Sequence, residues 1–440
     1  MGAFKKAYIV AVDMGYGHMR AAYPFLDIAT TPEDWKTGSP AIISANNYPG
    51  IPFFDRIIWE SIRKIYEWFS RTNTIPFVGK YLFDILDYIQ RIEPFYPKRD
   101  LSTPRFQTKS LYWTIKNGHG RHLIKELNKN PLPLFTTFFV PAFFADEHGY
   151  KGEIYCLCTD TDISRAWAPL HPKKSRIIYC APNERVKERL ELYGVRPEKI
   201  ILTGFPIPKE ILGDKKCEAA RAALARRIGK LDPNGIYQEK YASLISKELG
   251  RSHPIVYDPK PVAITFAVGG AGAQFKIGVS ILKSLLYEIK NKKIKLNLVA
   301  GSSLKVYRGY QKAMRELGIS ERAGVSIIYR PDKFEYFKEF NRIIVETDVL
   351  WTKPSELSFF AGAGLPIIIA PPLGSHEKYN RKWLLKNGAG LDQYDPRYTN
   401  KWLGDMLSMG SLAEAAMSGF LNIPKKGTDN IKNLILHGKL

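Results

Sequence analysis

The chain has 440 residues, 45% hydrophobic and 25% charged, with 65 Lys and Arg against 43 Asp and Glu for a net charge of +22. The length exceeds one ordinary core and the composition is that of a folded protein, which excludes disordered and fibrous classes and points to two or three domains. Four cysteines are too few for a disulfide framework and suit a reducing compartment, while the excess of cations draws polyanions: nucleic acid, anionic lipid or phosphorylated substrates.

From the amino end, two lysines precede a short apolar run, 7–13, which ends on Asp13 and reads as a first β-strand rather than a signal peptide. Further strands are expected at 41–45, 134–140, 153–158, 176–181 and 199–203, and a helix at 183–192. These strand runs are nearly continuous in Val, Ile, Phe and Leu, as parallel strands covered on both faces are. Residues 51–99 mix Trp, Tyr, Phe and Ile with Lys and Arg at helical spacing. Such helices either lie in a lipid headgroup layer or pack as an insert on their own domain. His119 and His122 flank Gly120-Arg121 at a helix start and read as surface histidines. Cys156 and Cys158 alternate along a strand and read as core, and with no second cysteine pair or matching histidine spacing, zinc is not expected.

Residues 213–261 are charged and helical in pattern, with no strand signal. Strands then begin afresh at 262–268, 296–300, 325–329, 342–345 and 366–370, with helices at 274–289 and 378–386. No apolar stretch reaches the roughly 18 residues of a spanning helix. Alternation of this kind predicts doubly wound α/β layers in two Rossmann-like domains facing a cleft. The expected bounds are 1–212, carrying a helical insert at 46–130, and 213–400, followed by helices at 401–440 that can cross back to the first domain.

Three stretches carry chemistry. Gly15, Gly17 and His18 follow the first strand, where glycines let a backbone approach a ligand and an imidazole can take a proton from a hydroxyl. The plainer reading is a tight turn with a capping histidine. Gly269, Gly270 and Gly272 occupy the same position after the first strand of the second half. The densest stretch runs Thr347-Asp348-Val349-Leu350-Trp351-Thr352-Lys353-Pro354-Ser355-Glu356, then Gly364-Leu365-Pro366, then His376-Glu377-Lys378-Tyr379-Asn380. Pro354 suits a first helical turn, Ser355 and Ser358 offer hydroxyls there, and free N–H groups with Lys353 could hold a diphosphate. A carboxylate such as Glu356 or Glu377 can accept the hydroxyls of a sugar. Asp160-Thr161-Asp162 spells a two-acid turn that in another architecture binds metal and nucleotide, and that arises often by chance.

In this order the motifs resemble those of GT-B glycosyltransferases, nearest the monogalactosyldiacylglycerol synthases and the bacterial lipid II synthases that add N-acetylglucosamine. Gly15-Tyr16-Gly17-His18 matches their Gly-x-Gly-His; Thr159-Asp160, Trp167, Ile178-Tyr179-Cys180-Ala181, Tyr193-Gly194-Val195 and Thr203-Gly204-Phe205-Pro206 follow in sequence. The resemblance implies a GT-B fold in which the second domain binds a nucleotide-sugar, most simply a UDP-sugar, and the first binds the acceptor. It makes His18 the base, with Asp160 the alternative, in an inverting displacement. Gly269, Gly270, Gly272, Lys353 and Ser355 would hold the diphosphate, Glu356 the ribose, and His376, Glu377 and Asn380 the sugar. It implies no metal and no cofactor, a lipid or lipid-linked acceptor, an anionic membrane surface as partner, and a cytoplasmic, peripheral location. Ser355-Glu356 stand where the family often has two glycines, and His376 where glutamine is usual, which bears on the identity of the sugar and the base. A sugar-nucleotide epimerase and a non-catalytic GT-B-like binding protein share the fold; a nucleic-acid module lacks any recognition motif.

Overall fold

The structure, a computed structural model, describes residues 5–35, 41–72, 91–255, 258–269, 272, 274–320 and 324–439. Gly270 and residues 73–90 of the expected insert lie outside the described residues. The chain forms two compact units. The first comprises Met1–Pro206, Gly374–Tyr379 and Lys426–Leu440; the second comprises Ile207–Leu373 and Asn380–Lys425.

The first unit is built on β1 (Ala7–Ala11), β2 (Ala29–Thr30), β3 (Ile43–Ser44), β4 (Leu134–Thr136), β5 (Ile154–Leu157), β6 (Ile178–Ala181) and β7 (Ile200–Leu202). Their order is β2-β1-β4-β5-β6-β7, with β3 also paired to β1, and every pairing is parallel. All five residues of β1 and all four of β5 are buried, as a sheet with both faces covered requires. The expected strand at 134–140 is shorter than its apolar run. β4 stops at Thr136 and the helix Phe139–Glu147 begins almost at once. Pro141 is the physical reason, since proline is tolerated in a first helical turn and not inside a central strand. The helix Gly427–His437 returns to this unit, where Asn430 donates to the Thr203 carbonyl (2.9 Å) and Lys432 meets Asp27 (2.8 Å).

The second unit is built on β8 (Val262–Ala267), β9 (Ile294–Gly301), β10 (Val325–Tyr329), β11 (Val349–Thr352), β12 (Ile367–Ile369) and β13 (Gly390–Asp392). Their order, β10-β9-β8-β11-β12-β13, all parallel, is that of a Rossmann sheet, with the first strand of the unit in the middle. Two parallel Rossmann-like α/β units in tandem are the fold class expected of a GT-B chain. One strand was misplaced in the sequence. Residues 342–345 are not extended; they close the helix Lys333–Glu346, and the strand is Val349–Thr352. Tyr336, Phe337, Phe340, Ile343 and Ile344 are buried at helical spacing, so Arg342-Ile343-Ile344-Val345 belongs to an amphipathic stripe.

The helix Glu218–Leu231 packs against this sheet through buried ions. Arg227 is 1% exposed, and its guanidinium donates to four main-chain carbonyls: Thr347 (2.9 Å), Ala363 (3.0 Å), Gly364 (2.9 Å) and Ile344 (3.3 Å). Burial, then the neighbouring Arg226, lowers its pKa to about 9, so it stays charged at neutral pH. Asp348, wholly buried, accepts from Arg226 (3.2 Å), Lys230 (3.0 Å) and the Ala263 N–H (2.9 Å).

In the first unit the helices Phe53–Thr72, Phe106–Lys116 and Arg121–Leu127 converge on the turn at 118–120. Asp55, buried, accepts the Gly120 N–H at 3.2 Å, and Trp59 lies edge-on to His119, ring centroids 5.4 Å apart. The reading of His119 as a surface residue is wrong: it is fully buried between Trp59 and Phe144. The Thr114 hydroxyl already donates to Leu111 (2.7 Å), so it accepts from His119 Nδ1 (3.3 Å), leaving Nε2 as a buried atom with no partner among the described residues. Burial, helped by His148, lowers the His119 pKa to about 4.

Two outcomes follow for stability. Arg227→Met takes this donor from the buried Thr347, Ala363 and Gly364 carbonyls, while the Ile344 carbonyl keeps the Thr347 N–H, and is expected to cost roughly 3–5 kcal/mol in urea unfolding followed by tryptophan fluorescence. His119 binds its proton at an ordinary pH when unfolded and only near pH 4 when folded. Its contribution is therefore complete above about pH 6.5 and is lost as pH falls toward 4, at up to ~1.4 kcal/mol per pH unit. The variant His119→Phe should flatten that slope; an unchanged slope would assign the acid lability elsewhere.

Candidate functional site

In each unit the first strand lies inside the sheet, so crossovers leave it in opposite directions, and the carboxyl ends flanking it form a switch point where open α/β sheets bind ligands. In the first unit that point lies between β1 and β4, in the second between β8 and β11.

At the first switch point the chain leaves β1 through Asp13 and turns at Gly15, whose φ of +98° explains the glycine, before the helix Gly17–Ala22 begins. Asn46 holds the Asp13 main chain from both sides, accepting its N–H at 2.7 Å and donating to its carbonyl at 3.3 Å, while Ser44 donates to the same Asn46 oxygen at 2.9 Å. His18, half-buried in the first helical turn, has Nδ1 2.8 Å from the Thr137 carbonyl. A carbonyl only accepts, so Nδ1 carries the proton and Nε2 is the basic nitrogen, which is the tautomer a general base needs. The Thr137 hydroxyl donates to the His18 carbonyl (2.9 Å) and the Thr137 N–H to Val10 (3.2 Å), so the residue that sets the tautomer is itself fixed. Phe138 lies against the imidazole, ring centroids 4.6 Å apart.

Asp160 follows β5 and is half-buried; its charge adds to burial and to Cys156 and Cys180 in raising the Cys158 thiol. All four cysteines are buried. Arg189 takes both oxygens of Asp162 (2.8 and 2.9 Å) in a buried pair. Among the described residues no cluster of His, Cys, Asp and Glu could hold a metal ion.

At the second switch point Lys353, directly after β11, lies over Gly269, directly beyond β8: a Cβ on Gly269 would stand 2.8 Å from Lys353 Cε and 3.6 Å from Nζ. A side chain there would push the amine aside. Gly272 follows with φ +68°. Gln274 caps the next helix and donates to the Pro371 carbonyl (2.8 Å), joining the glycine loop to the turn after β12. Asn380, fully buried, donates to the Pro354 carbonyl (3.2 Å) and joins the helix Ser375–Lys386 to the Lys353–Ser355 turn. Pro354 does not open a helix: Ser355 is extended, and a 3-10 helix runs over Glu356–Ala363. Ser358 is wholly buried and its hydroxyl has no hydrogen-bond partner among the described residues. Glu356 is half-buried. His376 and Glu377 group with the first unit; Glu377 is 2% exposed and its carboxylate is 3.9 Å from His376 Nε2.

Thus Gly269 meets Lys353 and Asn380 meets Pro354, while His18 meets two residues that the sequence did not single out, Thr137 and Phe138. Pro141 was the available signal, since it ends the strand early and puts residues 137–138 in a turn.

A family model described as a domain of unknown function (DUF6938) matches residues 307–385, the stretch that holds β10, β11, β12 and Lys353. No curated protein matches the sequence. Among solved structures, the chain is similar to a UDP-GlcNAc 2-epimerase from Neisseria meningitidis bound to UDP-GlcNAc (13% identity, 98% of this chain and 99% of that one, TM-score 0.48). It is also similar to MurG of Acinetobacter baumannii (13%, 98% and 99%, 0.46) and to the glycosyltransferase SnogD of Streptomyces nogalater (11%, 98% and 99%, 0.44).

The His18 tautomer is directly measurable. In 15N-labelled protein at a pH where the ring is neutral, long-range proton–nitrogen correlation should show the proton of His18 on Nδ1 rather than Nε2; the opposite pattern would break the link to the Thr137 carbonyl.

Proposed function

We propose that the chain is a glycosyltransferase that moves a sugar from a nucleotide-sugar, most simply a UDP-sugar, to a hydroxyl of a lipid or lipid-linked acceptor at a membrane surface. The observation that carries this reading is His18 at the first switch point, its Nδ1 held by the Thr137 carbonyl so that Nε2 is the base. In the reaction Nε2 takes the acceptor proton, the acceptor oxygen bonds to the anomeric carbon, and the bond from that carbon to the diphosphate breaks with inversion. The electron pair leaves with the nucleoside diphosphate. The glycine loop at 269–272 and the Lys353 amine stabilise that charge, Ser355 and Glu356 hold the nucleoside side, and His376, Glu377 and Asn380 orient the sugar. Asp160 is the alternative base.

The surface of the first unit supports a membrane partner. Phe53 (78% exposed), Phe54 and Ile57 stand in water beside exposed Arg56 and Lys64, and Phe106 (81%) and Trp113 (66%) do so beside exposed Lys109 and Lys116. Aromatic groups with cations are what a headgroup layer of anionic lipid accepts. Among the described residues no helix is long and apolar enough to cross a membrane.

The test is release of nucleoside diphosphate from a panel of UDP-, GDP- and TDP-sugars, with and without anionic vesicles carrying a membrane lipid extract. Lipid-dependent release from one donor is expected, and His18→Ala should lower it about 100- to 10,000-fold while nucleotide still raises the melting temperature. Sugar interconversion without diphosphate release would make the protein an epimerase. Silence across the panel, with no thermal stabilisation by any nucleotide, would make it a non-catalytic binding protein.

A further inference from the structure

The connections from β8 to β9 and from β9 to β10 run in one direction across the second sheet, so right-handed crossovers put their helices on the same face. The helices Phe275–Ser284 and Leu304–Glu316 are neighbours there: the Phe275 and Tyr310 rings lie 4.9 Å apart between centroids, and a Cβ on Gly309 would stand 2.7 Å from the Phe275 ring. Their inner sides are apolar and their outer sides cationic. Lys305, Arg308, Lys312 and Arg315, all exposed, recur every three or four residues and form one row along the second helix. Lys276 and Lys283 stand exposed on the first, and the end of the helix Leu286–Lys290 with the turn into β9 adds exposed Lys290, Lys292 and Lys293. Against these nine cations the same segments carry two carboxylates, Glu288 and Glu316. Among the described residues, Lys312 is the one of the nine that reaches a carboxylate, Glu316 at 3.8 Å.

Tyrosines stand at one edge of this face. The Ser284 hydroxyl donates to Asn400 Oδ1 and accepts the Asn400 N–H, both at 3.1 Å, which ties the end of the first helix to the start of the helix Thr399–Ser408. That joint brings together Tyr287 (69% exposed), one turn beyond Ser284, and Tyr398 (52%), two residues before Asn400. Lys401 Nζ lies 5.9 Å from the centre of the Tyr398 ring. Among the described residues of the two long helices, Leu304 is the one large apolar side chain left exposed. A bilayer holds a surface helix largely by the apolar area it buries, and little is offered here. A polynucleotide strand matches both features, with one phosphate per ~3.4 Å of stacked strand and flat bases that stack on aromatic rings. The row from Lys305 to Arg315 is about 15 Å long, room for about four phosphates. We propose that this face of the second unit binds single-stranded nucleic acid, the row tracking phosphates and Tyr287 and Tyr398 stacking bases. Contacts to phosphates read no sequence, so the surface needs no recognition motif.

The probe is a fluorescein-labelled oligothymidylate of about 20 nucleotides, read by polarisation at about 50 and about 200 mM salt. The assay needs no donor and no turnover, so it stands or falls apart from the transferase reading. Four phosphate contacts on a single strand make the affinity fall about 50-fold between the two salt concentrations. The double variant Arg308→Gln, Lys312→Gln should reduce that fall to about sevenfold, and Tyr287→Ala should weaken binding about tenfold at either salt concentration. The pair Arg56→Gln, Lys109→Gln, exposed cations of the first unit, should change nothing, and excess nucleoside diphosphate should not compete. Absence of binding at low salt, equal loss from the first-unit pair, or competition by nucleoside diphosphate would overturn the proposal. Anionic vesicles that bind through Arg308 and Lys312 while the oligonucleotide does not would assign the face to lipid. Polyglutamate binding as tight as that of the oligonucleotide and indifferent to Tyr287→Ala would assign it to an acidic protein.

Discussion

One buried guanidinium sets the geometry of the second unit. Arg227 joins the Thr347 N–H and Arg226 on the last carbonyls of the helix Lys333–Glu346 and reaches those that end the 3-10 helix Glu356–Ala363. Between those ends lies β11, and Lys353 follows directly on its last residue, Thr352. Asp348, at the start of the same strand, is fixed by Arg226, Lys230 and the Ala263 N–H of β8. Register between β8 and β11 is therefore pinned at their amino ends by ions, and the approach of Lys353 to Gly269 at their carboxyl ends follows from it. A buried charge is costly unless satisfied, so this arrangement tolerates few alternatives.

The two units use one device twice with different chemistry. Each places a glycine turn after its first strand, beside the end of the strand across the switch point. In the first unit the neighbouring strand end supplies a carbonyl, which sets the tautomer of His18; in the second it supplies a cation over a glycine.

Much of this was legible from the chain. Unbroken Val, Ile and Leu runs mark parallel strands because both faces are covered, and the glycine turns announce themselves by position. The misreadings have physical causes. Arg342-Ile343-Ile344-Val345 carries the residues of a strand, and only its phase with Tyr336 and Phe340 shows it to be a helix end. Polar residues inside the second sheet hid as well: Asn297, Thr265 and Thr347 form a buried hydrogen-bonded row (3.0 and 2.6 Å) that finishes on the Ile343 carbonyl (2.8 Å). His119 was taken for a surface group because a Gly-Arg neighbour is usually exposed; tertiary packing against Trp59 and Phe144 overrode that local cue.

The residue that matters most to the candidate base was not legible in principle. Thr137 acts on His18 through its main-chain carbonyl, and every residue has one. What distinguishes position 137 is conformation: its N–H is bound to Val10 of β1 and its hydroxyl to the His18 carbonyl, so the peptide can present its oxygen to Nδ1 in only one direction. Thr136 does the same for Phe138 one residue on. Two adjacent threonines thus convert hydroxyl groups into backbone direction, one aiming a carbonyl and the other a ring at the same imidazole. Substituting either hydroxyl would leave the partner groups of His18 chemically intact and misaimed, and alignment within a few tenths of an ångström is what proton transfer from a bound hydroxyl depends on.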